Sequence, residues 1–320
     1  MKLEDIGFYT LSDARAALAS QQSPLQRCEL ILTDRCNFKC PYCRGVRANC
    51  RGDLDLVQAR HTLELWVEDG LQSVRFSGGE PTLYSMLGLL ADYCQINGVK
   101  NIAVSTNGSA SRRTYDQLVM SGVNDFSVSL DACCADDGTM MMGVSNSNLW
   151  DRVVDNICYL SRMVYVTVGV VLTEQNEGQV VEIIEFAHDL GVADIRVIPA
   201  AQHGNMLSLG QIPDRILQAH PILRYRVNNL LAGKSVRGLG EDDSPHCSLV
   251  LDDMAVAREW HFPCIIYLRE GGNPIGKVGS DMRLQRSSWA KTNRYADPIC
   301  RGNCLDVCRD YNNRWGELHV

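Results

Sequence analysis

Cys36, Cys40 and Cys43 place three thiols within eight residues, separated by three residues and then two. A short loop with that spacing can fold its sulfurs around one face of a metal cluster, and thiolates are the soft ligands that hold iron–sulfur clusters. A [4Fe–4S] cube has four irons and this loop offers three ligands, which leaves one iron open to a small molecule. An open coordination position separates a catalytic metal site from a structural one. Zinc is the rival: zinc sites carry C-x2-C pairs and a fourth Cys or His close by, and Cys50 is available as that fourth thiol.

A second stretch follows the apolar run Ser73–Phe76. It reads Ser77-Gly78-Gly79-Glu80-Pro81. The two glycines leave room for close backbone approach to a ligand, and Glu80 offers a carboxylate to an ammonium group. On its own such a stretch is a plain Gly-Gly turn after a strand.

Taken together, the C-x3-C-x2-C loop, the aromatic Tyr42 before its third cysteine and the Gly-Gly-Glu-Pro segment resemble the radical S-adenosylmethionine (SAM) superfamily. The resemblance implies that Cys36, Cys40 and Cys43 ligate a [4Fe–4S] cluster whose open iron takes the amino and carboxylate groups of the SAM methionine. Tyr42 joins the cofactor site, and Gly78, Gly79 and Glu80 hold the methionine end. Ser105 and Asn107 after the third strand, and Ser129 and Asp131 around the fourth, resemble segments that contact the ribose and carboxylate. Val197, with Ile198 and Pro199, resembles a segment that flanks the adenine. Polar residues at strand ends are also common structural caps, and a buried apolar strand needs no functional reason. The implied chemistry is reductive cleavage of SAM to a 5′-deoxyadenosyl radical, which removes hydrogen from an unactivated C–H bond.

Five more cysteines lie in the tail. Sixteen residues separate Cys247 from Cys264, and Cys300, Cys304 and Cys308 follow at C-x3-C-x3-C spacing. This segment resembles the SPASM/twitch extension of radical SAM enzymes, where a β-hairpin between two cysteines and a following helix hold an auxiliary [4Fe–4S] cluster. It departs from that pattern in having Glu259 where a glycine is usual and a shorter terminal group. Five thiols suffice for one fully ligated cluster with one left over, so Cys247, Cys264 and two of Cys300, Cys304 and Cys308 are the expected ligands. Zinc is again the alternative, with His246 as a further donor. Of the other cysteines, Cys94 and Cys158 fall in helical stretches and read as core fillers. Cys28 is assigned no role, Cys50 none beyond the zinc alternative, and the pair Cys133–Cys134, at a strand end near the expected site, is either substrate-facing or without a role, the latter being preferred.

Around these residues strand-like and helix-like segments alternate. Strands are expected at 27–33, 73–76, 102–105, 125–130, 164–172 and 194–198. Helices are expected at 11–19 with Ser12 or Asp13 as cap, 56–69, 83–97, 112–121, 149–163 and 178–190. Ile212–Leu231 reads as helix interrupted by Pro221. Six strand–helix alternations predict an α/β fold with a parallel sheet, and the resemblance makes it a partial (β/α)6 TIM-type barrel with a small C-terminal β-hairpin/helix iron–sulfur extension. The expected divisions are a leader at 1–25, the barrel at 26–232, a linker at 233–245 and the auxiliary-cluster region at 246–320. Sites in parallel α/β folds form at the C-terminal ends of strands, where each motif falls.

The chain has 320 residues, 14 cysteines and a net charge of −7. No apolar run is long enough to span a membrane and no signal pattern opens the sequence, so a cytoplasmic location is expected and the cysteines argue for metal rather than disulfides. The acidic balance argues against direct nucleic-acid binding. About 35 residues precede Cys36, too few for the winged-helix peptide-recognition domain of many peptide-modifying relatives. The expected function is therefore a radical SAM oxidoreductase or isomerase acting on a small molecule, a nucleoside or nucleobase, or a peptide. A one-electron donor such as a flavodoxin or ferredoxin would serve it. A peptide maturase forming a crosslink and a zinc-binding structural protein are the alternatives.

Overall fold

The computed structural model describes residues 13–46, 50–201, 209 and 211–319. In chain order the first elements are α1 (Asp13–Ala16), β1 (Arg27–Thr33), α2 (Leu56–Glu68), β2 (Ser73–Gly78), α3 (Leu87–Ile96), β3 (Asn101–Thr106), α4 (Arg112–Met120) and β4 (Asp125–Ser129). Then come α5 (Ala135–Met142), α6 (Asn148–Leu160), β5 (Tyr165–Leu172), α7 (Val180–Asp189), β6 (Asp194–Pro199), α8 (Asp214–Ala219) and α9 (Pro221–Leu231). The architecture is α/β, with a parallel sheet that does not close, as a partial barrel requires. The expected start of the first helix, Leu11 and Ser12, lies outside the described residues.

Local chemistry sets the helix starts. Asp55 caps α2 by accepting from the backbone N–H of Val57 and Gln58, and Ser111 caps α4 through Thr114 N–H. The expected helix at 83–97 starts later, at Leu87. Glu80 caps a separate 3-10 turn over Pro81–Leu83 instead, accepting from Thr82 N–H. Pro221 ends one helix and opens the next at its first position, where its missing N–H costs nothing. Two helices, α5 and α6, stand between β4 and β5 where one was expected.

The chain forms two compact units: Met1–Arg35, Arg44–Ala103 and Arg237–Val320 in one, Cys36–Cys43 and Val104–Val236 in the other. In the second unit β4, β5 and β6 run parallel, with Ser129 opposite Gly169 and Gly169 opposite Arg196. Val166, Val168, Val170 and Leu172 are buried along β5, and α6 and α7 meet through Trp150 stacked on Phe186. Such runs are what a parallel strand covered on both faces needs.

The first unit joins the opening strands to the tail. The tail holds β7 (Asp253–Ala257), β8 (Trp260–Phe262), α10 (Ile265–Arg269), β9 (Gly276–Lys277), α11 (Met282–Ala290), α12 (Pro298–Asn303) and α13 (Asp306–Leu318). Strand order here is β2-β1-β7-β8-β9. β7 pairs parallel with β1, and β7–β8 is the antiparallel hairpin expected between Cys247 and Cys264. Arg27 faces Asp253 in that register, and its guanidinium pairs with the Asp253 carboxylate at 2.6 Å. Arg286, only 2% exposed, reaches the carbonyls of Val250 at 2.9 Å and Phe262 at 3.1 Å, and also that of Asp253. A buried guanidinium that donates to three carbonyls satisfies backbone groups that the short hairpin leaves unpaired.

His261 sits beside it. Its Nε2 lies 2.8 Å from Gln285 Oε1, and Nδ1 faces Arg286 Nη1 at 3.3 Å. Burial first, then the Arg286 charge, pulls the imidazole down from 6.5 to about 4. Between those values the unfolded chain binds the proton that the folded chain refuses. Stability is therefore full above pH 6.5 and is lost as pH falls toward 4, by up to about 3 kcal/mol from this group. His261→Gln should flatten that part of the curve. Parallel unfolding free energies for the two proteins from pH 7 to pH 4 would refute the assignment.

Candidate active site

The three-cysteine loop has no helix or strand of its own, so other elements hold it. Cys43 N–H closes a turn on Cys40 O at 3.0 Å, and Phe38 N–H points at Cys36 Sγ at 3.4 Å. Asn107, just past β3, donates from Nδ2 to Asn37 Oδ1 at 2.8 Å and lies 3.8 Å from Cys36 Sγ, while its Oδ1 accepts from Ser109 N–H. Asn37 in turn donates to Ser109 Oγ at 2.8 Å. Asn107 thus acts on the loop through side-chain amides.

The C-terminal end of α5 is the second anchor. Met142 O accepts from Lys39 N–H at 2.9 Å and lies 3.9 Å from Cys40 Sγ. Gly143 ends the helix at φ +64°, and a Cβ there would stand 2.2 Å from Lys39 O, so only glycine lets the helix end approach the loop. This helix was not expected from the sequence. Its signals were Asp136 and Asp137 in a first turn and a glycine after Met142.

The third anchor is Asp131. It is 7% exposed; one oxygen accepts from the Tyr42 hydroxyl and the other from Val171 N–H at 2.6 Å. Asn176 clamps the same corner by donating to the carbonyls of Asp131 and Val171. Burial pushes the carboxyl up to about 6, and the bonds from Tyr42 and Val171 pull it back. Two residues singled out separately, Tyr42 and Asp131, are therefore one hydrogen-bonded pair. Ser129 is exposed at the end of β4, Ser105 is half-buried in β3, and Val197 is fully buried in β6 opposite Val170. Arg196, which the sequence did not single out, lays its guanidinium over Gly169 and reaches Ser127 Oγ at 3.4 Å.

In the other unit, the Gly-Gly-Glu segment is folded against the end of β1. Gly79 N–H donates to Thr33 O and Glu80 N–H to Arg35 O, both at 2.7 Å. A Cβ on Gly78 would lie 2.3 Å from Thr33 O, and one on Gly79 2.3 Å from Arg35 O. The glycines thus admit close approach of the chain to itself as the segment leaves β2. Glu80 is fully buried, and its Oε1 accepts from Thr82 N–H at 3.0 Å and Thr82 Oγ1 at 2.7 Å.

Cys247, Cys264, Cys300, Cys304 and Cys308 all line one cavity in the tail, with Pro263, Ile266, Tyr267, Trp289 and Leu305 among its apolar walls. Burial is the first cause that raises the thiols of Cys247, Cys264 and Cys300; Cys308 is raised first by its hydrogen bond with Cys304 and then by burial. Arg294 Nη1 lies 3.5 Å from Cys304 Sγ. His246 is exposed, against Thr292 O, and Cys50 is buried in an apolar cluster with Ile31, Val46 and Phe262.

The donor set fits iron–sulfur clusters at both places. Burial pushes Cys40 up to about 12, so that thiol ionises only against a strong positive partner such as iron. Among the described residues, no three His, Cys, Asp or Glu side chains gather around a single metal ion. Around a cube each thiolate binds a different iron, so the sulfurs need not converge on one centre. In the assembled protein, Gly143→Ala should displace the loop and lower bound iron from about eight to about four per chain, leaving the tail cluster in place. Full iron content in that variant would exclude α5 as an anchor.

Residues 30–187 match the model of the Radical SAM superfamily. GTP 3′,8-cyclase of Staphylococcus aureus is 29% identical over 196 residues, covering 57% of this chain and 56% of that protein. The chain thus spans about half the length of the curated relatives it matches. In fold it is similar to Streptococcus suis SuiB bound to precursor peptide SuiA, with a TM-score of 0.58 at 15% identity over 90% of this chain and 76% of that one. It is also similar to anSMEcpe with bound AdoMet and Cp18Cys peptide, with a TM-score of 0.58 at 14% identity over 92% and 94%. These likenesses concern the fold, and their coverage takes in the cysteine-rich tail. No helix among the described residues is long and apolar enough to cross a membrane. With their three-cysteine loop and Gly-Gly-Glu segment, residues 30–187 form a domain of the radical SAM superfamily, whose members work with a [4Fe–4S] cluster and SAM.

Proposed function

We propose that this protein is an oxidising radical SAM enzyme that holds two [4Fe–4S] clusters and acts on a small molecule of the nucleoside class. The observation that carries the proposal is the convergence of five tail thiols on one cavity. Four of them complete the ligand shell of a cube, and a cluster without an open iron is suited to accept an electron rather than to bind substrate. Cys247, Cys264 and two of Cys300, Cys304 and Cys308 are its ligands, in a region spanning 246–320 that follows a barrel at 26–232.

Cys36, Cys40 and Cys43 would hold the first cluster, and cluster and SAM held there would supply the radical chemistry that removes hydrogen from a C–H bond. The chain's own residues position and shield. Glu80 and the Gly78–Gly79 backbone take the methionine ammonium end. Ser105 and Ser129 offer hydroxyls, and Val197 with its neighbours contributes an apolar wall. Tyr42, tied to Asp131, and Asn107, tied to Asn37, keep the loop from shifting as ligands exchange. The electron for each turnover comes from a flavodoxin- or ferredoxin-type donor in the cytoplasm.

The similarity to relatives named for a reaction of GTP supports a nucleoside-class substrate. The net charge of −7 weighs against a nucleic-acid polymer. A peptide substrate is the second reading, supported by fold likeness to SuiB bound to precursor peptide SuiA and to anSMEcpe bound to Cp18Cys peptide.

Anaerobically prepared protein should contain about eight iron and eight sulfide per chain; zinc without sulfide would reject the proposal. Cys40→Ala should abolish 5′-deoxyadenosine formation from SAM under reducing conditions, and turnover at the wild-type rate would exclude the loop as the catalytic site. Cys264→Ala should still cleave SAM but yield no oxidised product. Unchanged product formation would show the tail cluster to be dispensable.

A further inference from the structure

The Gly-Gly-Glu turn is gripped by a residue nearly two hundred positions away in sequence. Arg269 is the last residue of α10, the short helix capped at its start by Cys264. Its Nη1 donates to Gly45 O at 2.7 Å and its Nη2 to Gly78 O at 2.9 Å. The next residue, Glu270, pairs with Arg44, and the two side chains are 16% and 23% exposed. Arg44 and Gly45 directly follow Cys43 in the chain. One guanidinium therefore ties the segment leaving the cysteine loop to the first carbonyl of the Gly-Gly-Glu turn.

The grip is specific to arginine. Gly78 sits at φ +149°, and the next two N–H groups are committed to Thr33 O and Arg35 O. The bond from Arg269 to Gly78 O then fixes the remaining freedom of that peptide plane. A planar fork can hold two carbonyls at once, while a lysine ammonium is a single point of charge on a flexible stem. Hydrogen bonds from a charged donor are also the stronger kind.

We infer that Arg269 is a positioning residue for the SAM-binding turn, so that the tail sets SAM affinity as well as housing its own cluster. This rests on the proposed SAM function and adds to it a dependence of the first site on a residue outside the domain at 30–187. Arg269 does not reach the reacting atoms. It acts through the carbonyls of Gly45 and Gly78, which places its effect on binding rather than on the chemical step.

The test uses the fully loaded enzyme and the variants Arg269→Gln, Arg269→Lys and Glu270→Gln. SAM itself is the probe. The SAM dissociation constant is measured anaerobically, together with KM and kcat for 5′-deoxyadenosine formation, iron content and the EPR spectrum of the reduced cluster with SAM. Arg269→Gln should raise the dissociation constant and KM about tenfold or more, with kcat at saturating SAM and iron content close to wild type. Arg269→Lys should fall between Gln and wild type, and Glu270→Gln should shift affinity in the same direction by less. The EPR change on SAM binding should persist at saturation in all three. An unchanged dissociation constant in loaded Arg269→Gln would overturn the inference, and so would a loss of affinity that only follows loss of iron. If the Gln variant does not fold, wild-type affinity in Arg269→Lys overturns it equally. Wild-type protein that carries its clusters yet binds no SAM would overturn both this inference and the functional proposal, and it is recognised without any variant.

Discussion

The three-cysteine loop must hold its sulfurs in position before a cluster arrives, with Cys36 and Cys43 exposed and Cys40 partly buried. The loop has no regular structure to hold it in place. Its shape is supplied from outside by the carbonyl at the end of α5, the amide of Asn107 and the Tyr42–Asp131 bond. These contacts come from the segments that follow β3 and β4 and from the last residue of α5, so the loop is correct only when the unit is folded. Sites of this kind gain precision from the elements that surround them.

The same logic governs the tail. Its strands are short, and a three-residue strand cannot satisfy its own neighbourhood. Buried arginines close the gaps: Arg286 under the hairpin, Arg27 against Asp253, Arg294 beside Cys304. Cationic side chains this close to a cysteine-lined cavity also suit the negative charge of a thiolate-ligated cluster. The tail thus combines buried arginines with an apolar core that includes Val250, Met254, Val256, Phe262 and Leu268.

Glycines in the Gly-Gly-Glu segment illustrate how a motif can be recognised correctly and explained differently. The pair was expected to make room for a ligand. In the structure the atoms that would meet a Cβ are Thr33 O and Arg35 O, so the glycines let one backbone lie against another. Glu80 likewise serves its own turn, with one carboxylate oxygen accepting from Thr82. A motif that must hold a ligand first has to hold itself.

Much was legible in the order of residues. Strands such as β5 announce themselves because alternate β-branched residues are buried on both faces, and α6 through apolar positions one turn apart. Cysteine spacing in the 36–43 loop pointed to iron–sulfur chemistry because those three residues are close in sequence, whereas the tail cysteines, spread over 247–308, were read through their resemblance to a known extension. α5 was missed because its eight residues include a glycine and three methionines, which leaves only the weak end signals of Asp136, Asp137 and Gly143 to mark it. Nor could the sequence reveal the roles of Asp131, Asn107 and Arg269. Each acts on a partner distant in sequence, and a hydrogen bond between remote positions leaves no periodic trace. Chemistry resides in residue type and spacing; its precision comes from contacts that exist only after the chain has folded.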